Sequence, residues 1–282
     1  MSDVAQYFLR GLFIALLVLC PALILPDISQ DVALGLTLLS LLAAVVVITE
    51  YSAAYPGLVE FRDAKPYNRS RFILISAIVL TTTLVQRDVL FGSDPHGVLA
   101  VVALKFGQIM DFPISPVRLL VMSLPVGLPA EHLVNVQATA ALAYIIALTG
   151  AAVFFAIMTL GHWPRGNSAF NVWVNLPNFD PTQGVDVVRR LERDAQVNIL
   201  LGIILPFSLP VLLHISTLLV QPMTLETPLA LVWGVTLWAF VPVNLIMRGL
   251  AMYRIAQLVR AQRRRIAASE DSVPLPARSA YS

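Results

Sequence analysis

The sequence predicts an all-α fold: a polytopic integral membrane protein of about six transmembrane helices with both termini on the cytoplasmic side. Three observations carry this reading. The chain is 57% apolar and only 13% charged, when soluble domains carry about 25% charged residues. Six apolar stretches are each long enough to cross a bilayer. Lysine and arginine gather on alternate connections between those stretches.

A spanning helix needs about 20 mostly apolar residues to cross roughly 30 Å of hydrocarbon. Residues 7–25, 31–49, 72–90, 134–160, 197–220 and 229–247 meet that requirement, within a chain of 282 residues and net charge +2. The mean hydropathy of +0.77 agrees.

The first stretch follows Arg10 in the manner of a signal peptide, but Pro21 and Pro26 bracket its end and no small-residue cleavage site follows. A retained anchor is expected. Its Cys20 is the only cysteine, which excludes a disulfide framework and a multi-cysteine metal site. Leu19 stands where a lipoprotein signal would have a small residue. Only residues 26–30 separate the first two stretches, so they form a tight antiparallel hairpin, closed at the far end by Glu50 and Tyr51.

Residues 52–71 form the first large polar loop, in which Tyr55, Phe61 and Tyr67 alternate with Glu60, Arg62, Asp63, Lys65, Arg69 and Arg71. The expected role is an interfacial loop whose Arg62, Lys65, Arg69 and Arg71 contact anionic headgroups. Farther on, the short apolar runs 98–110 and 116–126 flank residues 111–115, and neither can span alone. Lys105 and Arg118 favour helices lying in the outer interface over a re-entrant pair, because a charge at the bilayer centre costs about 2.5–3.5 kcal/mol.

The fourth stretch repeats small residues at Ala143, Ala147 and Ala151, beside Gly150. Such a row lets another backbone approach closely and marks a central, protein-packed helix. Trp163 follows it at the expected headgroup depth. Residues 166–196 are the longest strongly polar interruption. Phe170, Trp173 and Phe179 interleave there with Asn171, Asn175 and Asn178, and then Asp180, Pro181 and Gln183 have the pattern of a capped helix start. A cytoplasmic amphipathic helix over 181–196 is expected to lie at the inner surface and to lead into the fifth span. Phe170, Trp173 and Phe179 with Arg189, Arg190 and Arg193 are the residues expected to meet another membrane subunit, since aromatics and arginine dominate such contacts.

Pro206 and Pro210 predict a kink in the fifth stretch. Thr227 caps the sixth and Pro228 opens it. Arg260, Arg263, Arg264 and Arg265 then continue the basic side toward anionic lipid, and residues 267–282 read as a disordered tail. Arg10, the basic loop, Arg165, Arg189, Arg190 and Arg193, and the residues from Arg248 onward all fall on one side of a six-span chain. The positive-inside rule makes that side cytoplasmic. Arginine outnumbers lysine, present only as Lys65 and Lys105. That bias suits a GC-rich bacterial genome and hence a bacterial inner membrane.

No motif assigns an activity. Walker, dinucleotide-binding and serine-elbow patterns are missing, as are paired carboxylates within the spans. The four histidines are scattered without metal-ligand spacing, so no metal or cofactor is expected, and nucleic acid is not an expected partner. His214 and Asn244 are the polar groups to note inside the spans, because intramembrane polar residues often mark sites. An interhelix hydrogen bond is the expectation for His214, with Asn244, Thr236, Gln137 or Thr139 as partner. The function that fits is a non-enzymatic scaffold, assembly factor or accessory subunit of a larger membrane complex. A small-solute transporter or channel is the first alternative, and a membrane-embedded lipid-modifying enzyme the second.

Overall fold

A computed structural model describes residues 3–91, 97–160, 163, 175–177, 179, 186–216 and 225–271. Its described residues form eight helices, of which six are long and apolar enough to cross a membrane, as a multi-pass membrane protein requires. In chain order they are α1 (Asp3–Ile24), α2 (Gln30–Ser52), α3 (Tyr67–Phe91), α4 (Val98–Ile109), α5 (Pro116–Met122), α6 (Ala130–Leu160), α7 (Val187–Ser216) and α8 (Pro228–Asp271). The two short ones, α4 and α5, are not spans. The Ser29 side chain accepts from the Val32 N–H to cap α2, and the Thr227 hydroxyl accepts from Ala230 N–H to cap α8.

α6 is the hub, packed against α3, α4, α5 and α8. Its small-residue face explains this: Ala140, Ala143 and Ala147 have no exposed surface, so neighbouring helices come up to its backbone. α4 lies along the opening turns of α6, where Gly107 faces the Cα of Ala138 and the Gln137 side chain donates to the Gly107 carbonyl at 3.0 Å. Gln86 of α3 is bonded to Asn135 and Thr139 of α6, with Nε2 donating to Asn135 Oδ1 at 3.1 Å and to Thr139 Oγ1 at 2.9 Å. Interhelix amides of this kind hold spans in register where lipid offers no hydrogen-bond partner.

α7 and α8 form the most extensive helix pair. Pro210 has no N–H to give to the Pro206 carbonyl four residues back. The Trp238 indole supplies the missing donor at 3.3 Å, and the helix continues through both prolines. Of the amphipathic helix expected over 181–196, residues 181–185 lie outside the described residues; from Val187 it is the opening of α7, unbroken into the span. Its partner explains why it does not lie apart on a surface. α8 has 44 residues, about 66 Å of helix, roughly twice the hydrocarbon thickness, and the overhang runs beside the start of α7. Val188 and Leu191 are buried in that contact along with Ile255. Arg260 pairs with Glu192 at 2.5 Å and Arg263 with Asp186. The Arg263 guanidinium holds the Asp186 carboxyl below the usual aspartate range. The helix also runs to Asp271, past the start of the tail expected at 267.

The α1–α2 hairpin stands at the edge. α2 packs against α1 and has no other substantial helix neighbour, while α1 reaches α3 and touches α8. Only 6% of α2's most apolar stretch is buried inside the molecule, against 50% for α8.

Candidate functional site

At the basic end of the bundle the chain from Ala53 to Pro66 is folded back by its own charges. Glu50, in the last turn of α2, accepts from three successive backbone N–H groups: Gly57 at 3.0 Å, Leu58 at 2.7 Å and Val59 at 3.0 Å. Arg62 donates to the Ala53 carbonyl and to Asp63. Glu60 is buried and takes a two-pronged contact from Arg248 of α8, Nε to Oε2 at 2.6 Å and Nη2 to Oε1 at 2.7 Å. Phe61, held at a φ of 52°, turns its ring inward against Tyr67 and Trp163 at centroid distances of 4.4 and 5.9 Å. A non-glycine residue in that backbone region persists only where its surroundings impose it. Here the Phe61 N–H donates to the Asn175 carbonyl at 2.7 Å, and the Asn175 side chain accepts from Asp63 N–H at 3.0 Å.

Trp163, expected at headgroup depth, is 1% exposed. Its indole N–H donates to the Ala64 carbonyl, and its own carbonyl accepts from Arg254. Both polar ends of the residue are thus satisfied inside the protein, and headgroups are not needed to wet it.

This folding leaves a cleft of ≈ 620 Å³ between α1, the end of α2 and the start of α3. Arg10, Arg62, Lys65, Arg69 and Arg71 line it, and among the described residues no carboxylate does. Arg10 lies over the Tyr51 ring at 4.0 Å. Arg71 donates to Asn68 at 3.3 Å, yet its Nε is buried without a partner. The nearby acids are already committed: Glu50 to backbone, Glu60 to Arg248, Asp63 to Arg62. The opposite wall is apolar, formed by Leu9, Phe13, Phe72, Ile73 and Ile75, with Phe240 of α8 behind.

Of the expected lipid-contact residues, Arg62, Lys65, Arg69 and Arg71 therefore meet in one place. Arg10 joins them from α1, which sequence reading used only for orientation. The signal that could have found it is a lone cation two turns into an apolar helix, on the same side as the basic loop. Arg260 and Arg263 lie elsewhere and face Glu192 of α7 and Asp186 just before it, while Arg264 and Arg265 are exposed on the α8 overhang.

Among the expected partner contacts, Phe179 is 5% exposed and lies beneath the Arg190 guanidinium at 4.7 Å. Arg189 is exposed, and Arg193 is exposed beside Asp194 at 3.5 Å. Phe170 and Trp173 lie outside the described residues.

His214 is exposed on α7. Of the four partners expected for it, Gln137 and Thr139 are bonded to α4 and α3, and the Thr236 Oγ1 and Asn244 Oδ1 atoms are buried without a hydrogen-bond partner. Among the described residues no three His, Cys, Asp or Glu side chains come together as a metal site. What the cleft is equipped to do is hold an anion beside an apolar chain. Comparison with known protein families, curated proteins and solved structures finds no match for this chain.

Proposed function

We propose that this is a non-enzymatic multi-pass protein of a bacterial inner membrane, acting as a scaffold, assembly factor or accessory subunit of a larger membrane complex. The observation that carries the reading is the α1–α2 hairpin. Leu34, Leu38, Leu41, Leu42 and Val45 are all exposed on α2, and one helix neighbour uses only a small part of its surface. A helix–helix interface with a partner subunit would use that free face. Arg189 and Arg193 offer further contacts at the basic end.

A photo-crosslinking side chain at Leu38 is the test. Under this reading it gives one discrete protein adduct in native membranes, and that same polypeptide co-purifies in stoichiometric amount in mild detergent. Purification of the chain alone, with stabilisation by a specific small solute, would replace the scaffold reading with that of a transporter. The lipid-acting alternative draws its support from the cationic cleft.

Both termini are assigned to the cytoplasm because the basic loop, the start of α7 and the α8 overhang carry the excess of arginine. With Cys20 changed to serine and a cysteine placed at Gln262, a reagent unable to cross the inner membrane should label only opened cells. Labelling of intact cells would reverse the orientation.

A further inference from the structure

We infer that the cleft between α1, α2 and α3 is the seat of one anionic glycerophospholipid, its phosphate held by the basic loop and one acyl chain laid against α1 and α3. Charge comes first. Five cations and, among the described residues, no carboxylate line the space; of the nearby acids Glu50 is bonded to backbone and Glu60 to Arg248, and only Asp63 meets a lining cation, Arg62. Lys65 and Arg69 are exposed with no ion-pair partner among the described residues, and the Arg71 Nε is enclosed and lacks an acceptor. A buried donor without a partner is uncommon in a folded protein, and a phosphate oxygen would satisfy it.

The arrangement of polarity chooses a lipid over a free anion. Arg62 and Lys65 stand on the loop, Arg10 on α1 and Arg69 and Arg71 on the opening turn of α3, whereas Phe13 and Ile73, at 47 and 66% exposure, lie farther along the same two helices. Inorganic phosphate would gain nothing from that apolar wall, whereas a diacyl lipid would cover it. The volume of ≈ 620 Å³ sits within the range of about 300–1,000 Å³ usual for small-molecule sites. Arg62 and Arg71 supply planar donors suited to phosphate oxygens. The inference rests on the membrane reading of the chain but not on the scaffold reading.

The test is native mass spectrometry of the detergent-purified full chain titrated with phosphatidylglycerol or phosphatidylcholine, with inorganic phosphate in a separate arm. One phosphatidylglycerol should be retained in preference to phosphatidylcholine, and phosphate should neither stabilise the protein nor displace the lipid at equal concentration. Lys65→Gln with Arg69→Gln removes two exposed cations that have no structural bond, so folding should be unchanged. Two lost contacts of this kind should weaken phosphatidylglycerol binding roughly thirtyfold. Ile73→Asn should weaken lipid binding through the apolar wall alone. Arg264→Gln with Arg265→Gln removes the same charge far from the cleft and should leave retention unaltered.

Equal retention of the two lipids, or equal loss from both pairs of substitutions, would mean non-specific annular lipid and would overturn the inference. Competition by inorganic phosphate would overturn it in favour of a soluble anion. Because the readout needs no partner polypeptide, it can succeed where the crosslinking experiment fails, and the reverse.

Discussion

Glu60→Ala is expected to cost the folded state about 3 kcal/mol, the low end for removing one partner of a buried ion pair. The Glu60 side chain is 11% exposed and that of Arg248 is 26%. Deleting the carboxylate strands a guanidinium that two short bonds now neutralise, and Asp194, the other acid that acts on it, does so only through space. Burial of Arg248 is incomplete, which is why the low end applies. Much of the cost is that of an unpaired charge rather than the net worth of the pair, so a Glu60→Leu, Arg248→Met double variant should recover more than half of the loss. Thermal unfolding in detergent, with the single and double variants side by side, measures this directly. A Glu60→Ala protein within about 0.5 kcal/mol of the parent, the spread of an ordinary surface change, would mean that water already solvates the pair. The same substitution should loosen the chain from Ala53 to Pro66, because Glu60 ties that loop to α8. Lipid retention in the cleft should then fall although Glu60 does not line it.

The spans were legible because apolar length is a local property. The stretch read as 72–90 is α3 at 67–91, and that read as 31–49 is α2 at 30–52. The largest departures, α7 opening at 187 against 197 and α8 ending at 271 against 247, share one cause. Hydropathy marks where a helix is greasy, whereas the helix itself continues wherever another helix covers its polar turns. The overhangs of α7 and α8 cover each other through Val188, Leu191 and Ile255.

The basic loop was legible as a cation-rich element at a span end, but its cleft was not, since the walls come from α1, α2 and α3 and the anchor from α8. Glu60 and Arg248 are 188 positions apart. Only a weak signal joined them, namely an acid within a cation-rich loop and a cation ending an apolar span at the same depth. Phe61 and Tyr67 looked like interfacial aromatics beside Tyr55, yet both are 1% exposed while Tyr55 is 76% exposed. Composition cannot separate the three; the hydrogen bond from Phe61 to Asn175, 114 residues away, does so.

The second large effect is expected where α7 and α8 touch. A Cβ built on Gly202 would lie 2.5 Å from the Pro242 carbonyl oxygen and 2.5 Å from Ile246 Cγ1. One built on Gly249 would lie 2.7 Å from the Ala195 carbonyl oxygen and 2.7 Å from Ile199 Cγ1. In both cases backbone is among the obstructing atoms, and backbone cannot swing aside as a side-chain tip can. The two glycines sit on opposite partners, so one change on each helix pushes the pair apart along its length. Overpacking at each Gly→Ala substitution should therefore cost about 1–3 kcal/mol, offset in part by the better helix propensity of alanine, about 1 kcal/mol. The double variant should separate the helices enough to break the bond from Trp238 to the Pro206 carbonyl, which depends on the same close approach. Protease sensitivity of the α8 overhang should then rise, because Glu192 and Asp186 would no longer meet Arg260 and Arg263. Limited proteolysis and unfolding of the two single variants and the double variant test the claim. A double variant with unchanged stability and an equally protected overhang would show that the helices do not pack at these glycines.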